Sequence, residues 1–123
     1  MKNFDNINLD LMYALPRQSL QEAQQDIETA CTLGVTHISA YHLTLEPNTL
    51  FHRYPPKLPD DEQAAQMQEI IELTAANHHY RHYETSAFAR PSKESWHNLN
   101  YWLFGDYLGI GAGAHSKISF ADK

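Results

Sequence analysis

Ile7-Asn8-Leu9-Asp10-Leu11-Met12-Tyr13, followed by Ser19-Leu20-Gln21-Glu22 and then by His37-Ile38-Ser39-Ala40-Tyr41-His42-Leu43-Thr44-Leu45, decides the fold. In the first stretch Ile7, Leu9, Leu11 and Tyr13 alternate with Asn8, Asp10 and Met12, the two-residue period of a strand with one apolar face. Leu15-Pro16-Arg17-Gln18 turns the chain, and Ser19 with Glu22 forms the S-x-x-E capping box of a helix start. Leu20, Ala23, Ile27, Ala30 and Cys31 give that helix its buried stripe, and Gly34 closes it. A second strand runs from about His37 to Leu45, with Tyr41, Leu43 and Leu45 on one face and Ala40, His42 and Thr44 on the other. Strand, helix and strand in this order predict a right-handed parallel βαβ unit over about Asn6 to Leu45. The fold class is therefore α/β: part of a TIM-like βα barrel, with parallel strands and outer helices, whose inward faces are left for filling or for a ligand. Asp10, His42 and Thr44 are expected to point inward together.

Beyond this unit, Glu46-Pro47-Asn48-Thr49 ends the second strand and Tyr54-Pro55-Pro56-Lys57-Leu58-Pro59 makes a loop that cannot continue regular structure, expected at the ligand-facing end of the barrel. Asp60 caps a long helix whose packed side is Met67, Ile70, Ile71, Thr74 and Ala75, with Gln63 placed to return the cap's bond. Tyr80 to Pro91 reads as one aromatic strand stopped by proline. No internal repeat, low-complexity tract or linker is visible, and residues 1–123 read as a single segment.

The run Trp96-His97-Asn98-Leu99-Asn100-Tyr101-Trp102, with Gly105-Asp106-Tyr107-Leu108-Gly109-Ile110-Gly111-Ala112-Gly113-Ala114-His115-Ser116 directly after it, carries the chemistry. Large aromatics offer flat apolar surface, an imidazole can ligate haem iron, and alternating glycines let backbone approach a bound molecule. The plainer reading of each part stands beside this: Trp96, Tyr101 and Trp102 as core, His97 as a structural histidine. Gly109-Ile110-Gly111-Ala112-Gly113 is a weak match to a dinucleotide fingerprint, without the helix and distant acidic residue that give that motif its mechanism. His78 and His82 are four apart, but no third ligand follows at zinc-like spacing, so a solvated surface is the preferred reading.

The 123 residues are 42% hydrophobic with a formal net charge of -6, which suits one globular unit. The nine Lys and Arg residues are scattered, which leaves no electrostatic footprint for nucleic acid. No apolar stretch is long enough to span a bilayer and Met1-Lys2-Asn3-Phe4-Asp5 is not a secretory signal, so the cytoplasm is the expected location. Cys31 alone can form neither an internal disulfide nor an iron–sulfur or zinc site.

Leu9-Asp10-Leu11-Met12-Tyr13-Ala14-Leu15-Pro16, Leu45-Glu46-Pro47-Asn48-Thr49, Tyr83 to Pro91 and the His-Asn-x-x-Tyr-Trp element at His97 to Trp102 occur in the collinear order of a known family. Over almost its whole length the chain resembles the middle to C-terminal barrel part of the HemW-type radical SAM haem chaperones, long described as oxygen-independent coproporphyrinogen III oxidase-like proteins. The true oxidase shares the strand at Asp10 and the glycine loop but lacks the His-Asn-x-x-Tyr-Trp element. The resemblance implies a partial radical SAM barrel holding S-adenosylmethionine beside a 4Fe-4S cluster, with haem held by the chaperone branch. By matching position it implies that Asp10, Thr44, Leu99, Asn100, Ala114 and His115 serve the S-adenosylmethionine site, and that His97, with Tyr101 and Trp102, contacts haem. Ala14 and Arg17 stand where that family often has glycine, and His79 where a helix-terminal glycine is usual.

A larger departure is the absence of the CxxxCxxC-type run, since the chain holds only Cys31. The early barrel strands are missing as well, so the chain reads as a fragment of a longer parent, with no metal ligands or catalytic residues of its own. Three functions stay open for that parent: a chaperone that binds haem and passes it to a client protein, an oxidase that decarboxylates porphyrinogen propionates by radical chemistry, or a βα domain used only for subunit contacts. The His-Asn-x-x-Tyr-Trp element favours the first.

Overall fold

The computed structural model describes residues 4–120; Met1 to Asn3, the head of the stretch read as no secretory signal, and residues 121–123 lie outside them. The elements are β1 (Asn8–Tyr13), α1 (Leu20–Thr32), β2 (His37–His42), α2 (Leu50–Arg53), α3 (Asp61–Asn77), β3 (Arg81–Glu84), β4 (Ala87–Ala89) and α4 (Trp96–Trp102). The strands form one open sheet in the order β1-β2-β4-β3. β1 and β2 pair parallel, Asn8 against His37 through Tyr13 against His42, as the βαβ reading requires.

Chemistry of the caps explains where the helices begin. Ser19 Oγ accepts from the Glu22 amide at 3.2 Å and the Glu22 carboxylate accepts from the Ser19 amide at 2.8 Å, a complete capping box. Asp60 accepts from the Gln63 amide at 2.8 Å and starts α3. Thr49 caps the short α2 in the same way, between the strand end at Glu46 to Thr49 and the loop at Tyr54 to Pro59. α1 and α3 lie on one face of the sheet, where Ala23, Ile27, Ala30 and Cys31 meet Met67, Ile71 and Ala75 over Leu9, Leu11, Ile38 and Phe88. Full burial of side chains of this size contributes roughly 1.5–3 kcal/mol each.

Two features differ from the sequence expectation. The far half of the sheet is antiparallel, because Tyr80 to Pro91 is a hairpin, with β4 pairing both β2 and β3. Its reversal is stabilised by Glu84, whose carboxylate accepts from the Ser86 amide at 2.8 Å and the Ser86 hydroxyl at 3.1 Å. The sheet is thus mixed and open, a partial barrel wall with its helices outside. Second, β2 ends at His42, and its buried apolar positions are Ile38 and Ala40. His42 therefore lies on the helix side, its ring 5.4 Å from that of Tyr13, and does not share a face with Asp10, whose partner is Ser39. Tyr41, Leu43 and Leu45 suggested the opposite phase because two of the three lie past the strand.

Ala14, Arg17 and His79 all have positive φ, at 58°, 64° and 65°. Arg17 follows Pro16 inside the turn closed by the Gln18 amide on the Leu15 carbonyl, the place where a type II turn favours glycine. His79 is the residue after the α3 C-cap, with its amide on Ala76 and the Tyr80 amide on Ala75, the two bonds of a Schellman motif. A left-handed backbone costs a non-glycine residue roughly 1–2 kcal/mol. Arg17→Gly and His79→Gly are therefore expected to stabilise the chain by about 1 kcal/mol each, read as a higher urea midpoint at unchanged slope. Ile27→Ala, which empties a fully buried site, is expected to cost about 2–5 kcal/mol in the same measurement.

Candidate functional site

The face of the sheet away from α1 and α3 is polar at its core. His37 and Ser39 are only 6% and 5% exposed there, so their polar atoms need partners. Asn8 supplies them: its Oδ1 accepts from His37 Nδ1 at 2.6 Å and from the Ser39 hydroxyl at 3.2 Å, and its Nδ2 donates to Asp10 Oδ1 at 2.6 Å. On the other side of the ring, His37 Nε2 meets Tyr83 Oη at 2.5 Å, and that oxygen accepts from the Ser95 amide at 3.1 Å. Because a carboxylate only accepts, Asn8 must turn its amide nitrogen to Asp10 and its oxygen to His37. His37 is then the neutral Nδ1–H tautomer, taking the Tyr83 hydroxyl proton at Nε2. Burial pushes the imidazole below the ordinary histidine range, against the opposing pull of Glu84, Asp10 and Glu94.

Two local features bring Tyr83 and Ser95 to this point. The β3–β4 register shifts between His82 and Glu84, leaving Tyr83 at the irregularity, and bulges of this kind re-aim a side chain. β4 places Ala87 and Ala89 opposite Ser39 and His37, so nothing bulky stands beside the histidine and the chain leaves β4 at the start of β2. Ser95, whose hydroxyl caps α4 by accepting from the Asn98 amide at 3.4 Å, sits there. Between the sheet and residues 93–98 lies a cleft of about 370 Å³, lined by Asn8, His37, Ser39, Tyr41, Glu94 and Ser95 among others.

α4 divides the aromatic run between two directions. His97 and Tyr101, four apart, touch edge to face at 4.9 Å, and Tyr101 lies 4.5 Å from Tyr107. Trp102 instead faces Tyr83, 6.1 Å away. Tyr101 and Trp102 remain 44% and 45% exposed and Trp96 83%, which removes the reading of these rings as core. The neighbouring Tyr107 hydroxyl raises that of Tyr101 above its ordinary range. The glycine segment after α4 closes on itself through the Tyr107–Lys117 backbone pair at 2.9 and 3.0 Å. At its base, Asp106 accepts from the Ser119 amide at 2.8 Å and from Lys117 Nζ at 3.2 Å, and these bonds hold its carboxyl below the usual range. Gly109 lacks a Cβ that would stand 2.2 Å from the His115 carbonyl oxygen, and at Gly105 a Cβ would meet the Asn100 side-chain oxygen at 2.0 Å. These two glycines admit the protein's own chain.

The positions expected from sequence fall into three places. Asp10 is on the open face, bonded to Asn8 at the edge of the His37 network. Thr44 lies past the end of β2, bonded to Glu46 at 3.3 Å. Leu99 and Asn100 sit in α4, where Asn100 Nδ2 donates to the Asp106 carbonyl at 3.1 Å, and Ala114 and His115 are exposed in the glycine segment. The structure thus joins Asn100 to the glycine segment and joins His97 to Tyr101, while the hydrogen bond of Thr44 is local, to Glu46. Among the described residues no group of three His, Cys, Asp or Glu stands close enough to hold a metal ion. Cys31 is buried with its thiol pushed up to about 11, and His78 caps α3 while His82 stacks on Phe88 in the sheet. Sequence reasoning missed His37 and Tyr83. The alternation Asn8, Asp10 against His37, Ser39, Tyr41 would have marked the polar face had β2 been phased from its start.

No protein-family model matches the chain. It is 53% identical over 122 residues to the heme chaperone HemW of Escherichia coli K12, covering 95% of this chain and 31% of that protein. It is 52% identical over 120 residues to HemW of Haemophilus influenzae and 44% over 119 residues to HemW of Bacillus subtilis, covering 30% and 31% of those proteins. In fold it is similar to the structure of coproporphyrinogen III oxidase (HemN) from Escherichia coli, a radical SAM enzyme, with a TM-score of 0.72 at 20% identity over 92% of this chain and 30% of that one. No helix among the described residues is long and apolar enough to cross a membrane. By sequence along almost its whole length, and by a partial barrel wall, the chain matches the HemW family over about a third of its members' length, without cluster-binding cysteines.

Proposed function

We propose that this chain contributes the haem-contacting part of a radical SAM haem chaperone, with His97 and Tyr101 as the contacting pair. The observation that carries the reading is the exposed face of α4, where His97 and Tyr101 share one side and Tyr107 extends it. An imidazole suits axial ligation and the flanking rings suit a macrocycle. Trp102, which turns toward Tyr83, belongs in this reading to the seating of α4 on the sheet. Haem held there would be passed to a client protein, and the names of the relatives support that direction.

Asp10 fits S-adenosylmethionine in donor chemistry: its carboxylate is exposed on the open face, held by the Asn8 amide, and can accept from ribose hydroxyls. Thr44, Leu99, Asn100, Ala114 and His115 remain the other candidates for that cofactor, which supplies alkyl-radical chemistry when bound. The 4Fe-4S cluster does not fit the described residues, because one buried thiol with a raised pKa stands where three thiolates are needed. The fold likeness to coproporphyrinogen III oxidase favours, as a second reading, oxidative decarboxylation of porphyrinogen propionates, located in the same barrel wall.

Titration of the chain with haem, followed in the Soret band, tests the first reading. His97→Ala is expected to weaken binding by roughly tenfold or more and to shift the band, whereas Trp102→Phe leaves the band position unchanged. Equal spectra and affinities for wild type and His97→Ala would remove His97 as a ligand. Anaerobic reconstitution with iron and sulfide is expected to leave the chain without stoichiometric iron, and a charge-transfer absorption with bound iron would overturn that.

A further inference from the structure

The hydrogen-bond chain Asp10–Asn8–His37–Tyr83–Ser95 connects two places that the proposed function uses separately: the carboxylate offered to S-adenosylmethionine on β1 and the N-cap of the helix that presents His97. Each bond in it has a defined direction. Asp10 accepts, Asn8 relays through its two amide atoms, the neutral imidazole donates at Nδ1 and accepts at Nε2, and the phenol oxygen receives the Ser95 amide. Only a side chain with a donor on one side and an acceptor on the other completes it, so neither Phe nor Lys could replace His37.

We infer that His37 is a positioning residue, which through Tyr83 holds the start of α4 against the open face of the sheet and so fixes where the His97–Tyr101 face stands relative to Asp10. This deepens the haem-contact reading and rests on it for its functional meaning, though the mechanical coupling stands on the hydrogen bonds alone. It assigns Tyr83 a second duty, since its ring packs on Trp102 while its hydroxyl bridges His37 and the Ser95 amide. Protonation of His37 would put a donor where Tyr83 now donates, and the Tyr83 proton would lose its acceptor. The charged and titratable groups on this face are Asp10 on β1, Tyr41 on β2, Arg81, Tyr83 and Glu84 on β3, and Lys93 and Glu94 ahead of α4. The three carboxylates favour the cation, and desolvation, which opposes it, is the larger effect.

The sign of the pH effect follows. A folded-state imidazole pKa below the unfolded value of about 6.5 means that the unfolded or detached state takes up the proton first. The hold is complete above pH 6.5 and is lost as pH falls below it toward the folded value. Amide hydrogen exchange on the chain without haem, expressed as protection factors so that intrinsic rates cancel, is the test. Tyr83→Phe is expected to lower protection across Ser95 to Trp102 by about fivefold while leaving β1 and β2 unchanged. Wild-type protection in that segment is expected to fall toward the Tyr83→Phe level as pH drops from 7.5 to 5, with the variant flat. His37→Gln, which retains one donor and one acceptor on a more flexible stem, is expected to lie between the two.

In the haem arm, Tyr83→Phe raises the haem dissociation rate severalfold with the Soret maximum unmoved, because the ligand is intact and only its placement has loosened. Unchanged protection in residues 95–102, or an equal loss throughout β1 and β2, would overturn the positioning role. Should wild type bind no haem, the haem reading fails, and the exchange data still decide whether His37 positions α4.

Discussion

A buried imidazole must satisfy two nitrogens of opposite character, and much of this structure is arranged around that constraint at His37. The ring sits at the start of a central strand with 6% of its surface exposed, where an unpaired nitrogen would cost about 1–3 kcal/mol. Asn8 answers from the neighbouring parallel strand and Tyr83 from a bulged strand two places across the sheet. The alanines of β4 leave room for the tyrosine to arrive. The two faces of β1 and β2 thereby acquire different work: Leu9, Leu11, Ile38 and Ala40 bind the helix layer, while the reverse side is organised by hydrogen bonds and by the ring contacts of Tyr83 with His37 and Trp102.

Local chemistry was legible in the sequence wherever one residue acts on its near neighbours. The capping box at Ser19 and Glu22, the cap at Asp60, the buried stripe of α1 and the parallel pairing of β1 with β2 all follow from short-range pattern. The hairpin at Glu84 to Ser86 was hidden because its turn is made by a carboxylate collecting a nearby amide and hydroxyl, without Gly or Pro to mark it. The phase of β2 was misread because the apolar residues Leu43 and Leu45 continue past the last paired residue. The His37–Tyr83 contact spans 46 positions, and no periodicity reports on a pairing of that range.

The glycine segment gives a different lesson. Its glycines suggested room for a ligand, yet Gly105 and Gly109 are filled against Asn100 and the His115 carbonyl. The loop is a self-closed arch, held at its base by Asp106, Lys117 and Ser119. Its apolar side chains point outward, Ile110 and Leu108 most of all. Tyr107, at the foot of the arch and against Tyr101, joins it to the face of α4 that carries His97.

The range of the His37 contacts also bears on how the chain assembles. Asn8 and His37 are separated by 29 positions, and His37 and Tyr83 by 46, whereas the hairpin and helix caps close over a few. Loop closure costs entropy that grows with the logarithm of the loop, and nonlocal strand pairing is slow for that reason. The Asn8 contact closes across the βαβ crossover, whereas the imidazole reaches its phenol across a segment that includes the whole of α3. The polar face is consequently built from two ranges of contact, its β1–β2 half closed within the βαβ unit and its phenol supplied by the hairpin beyond α3.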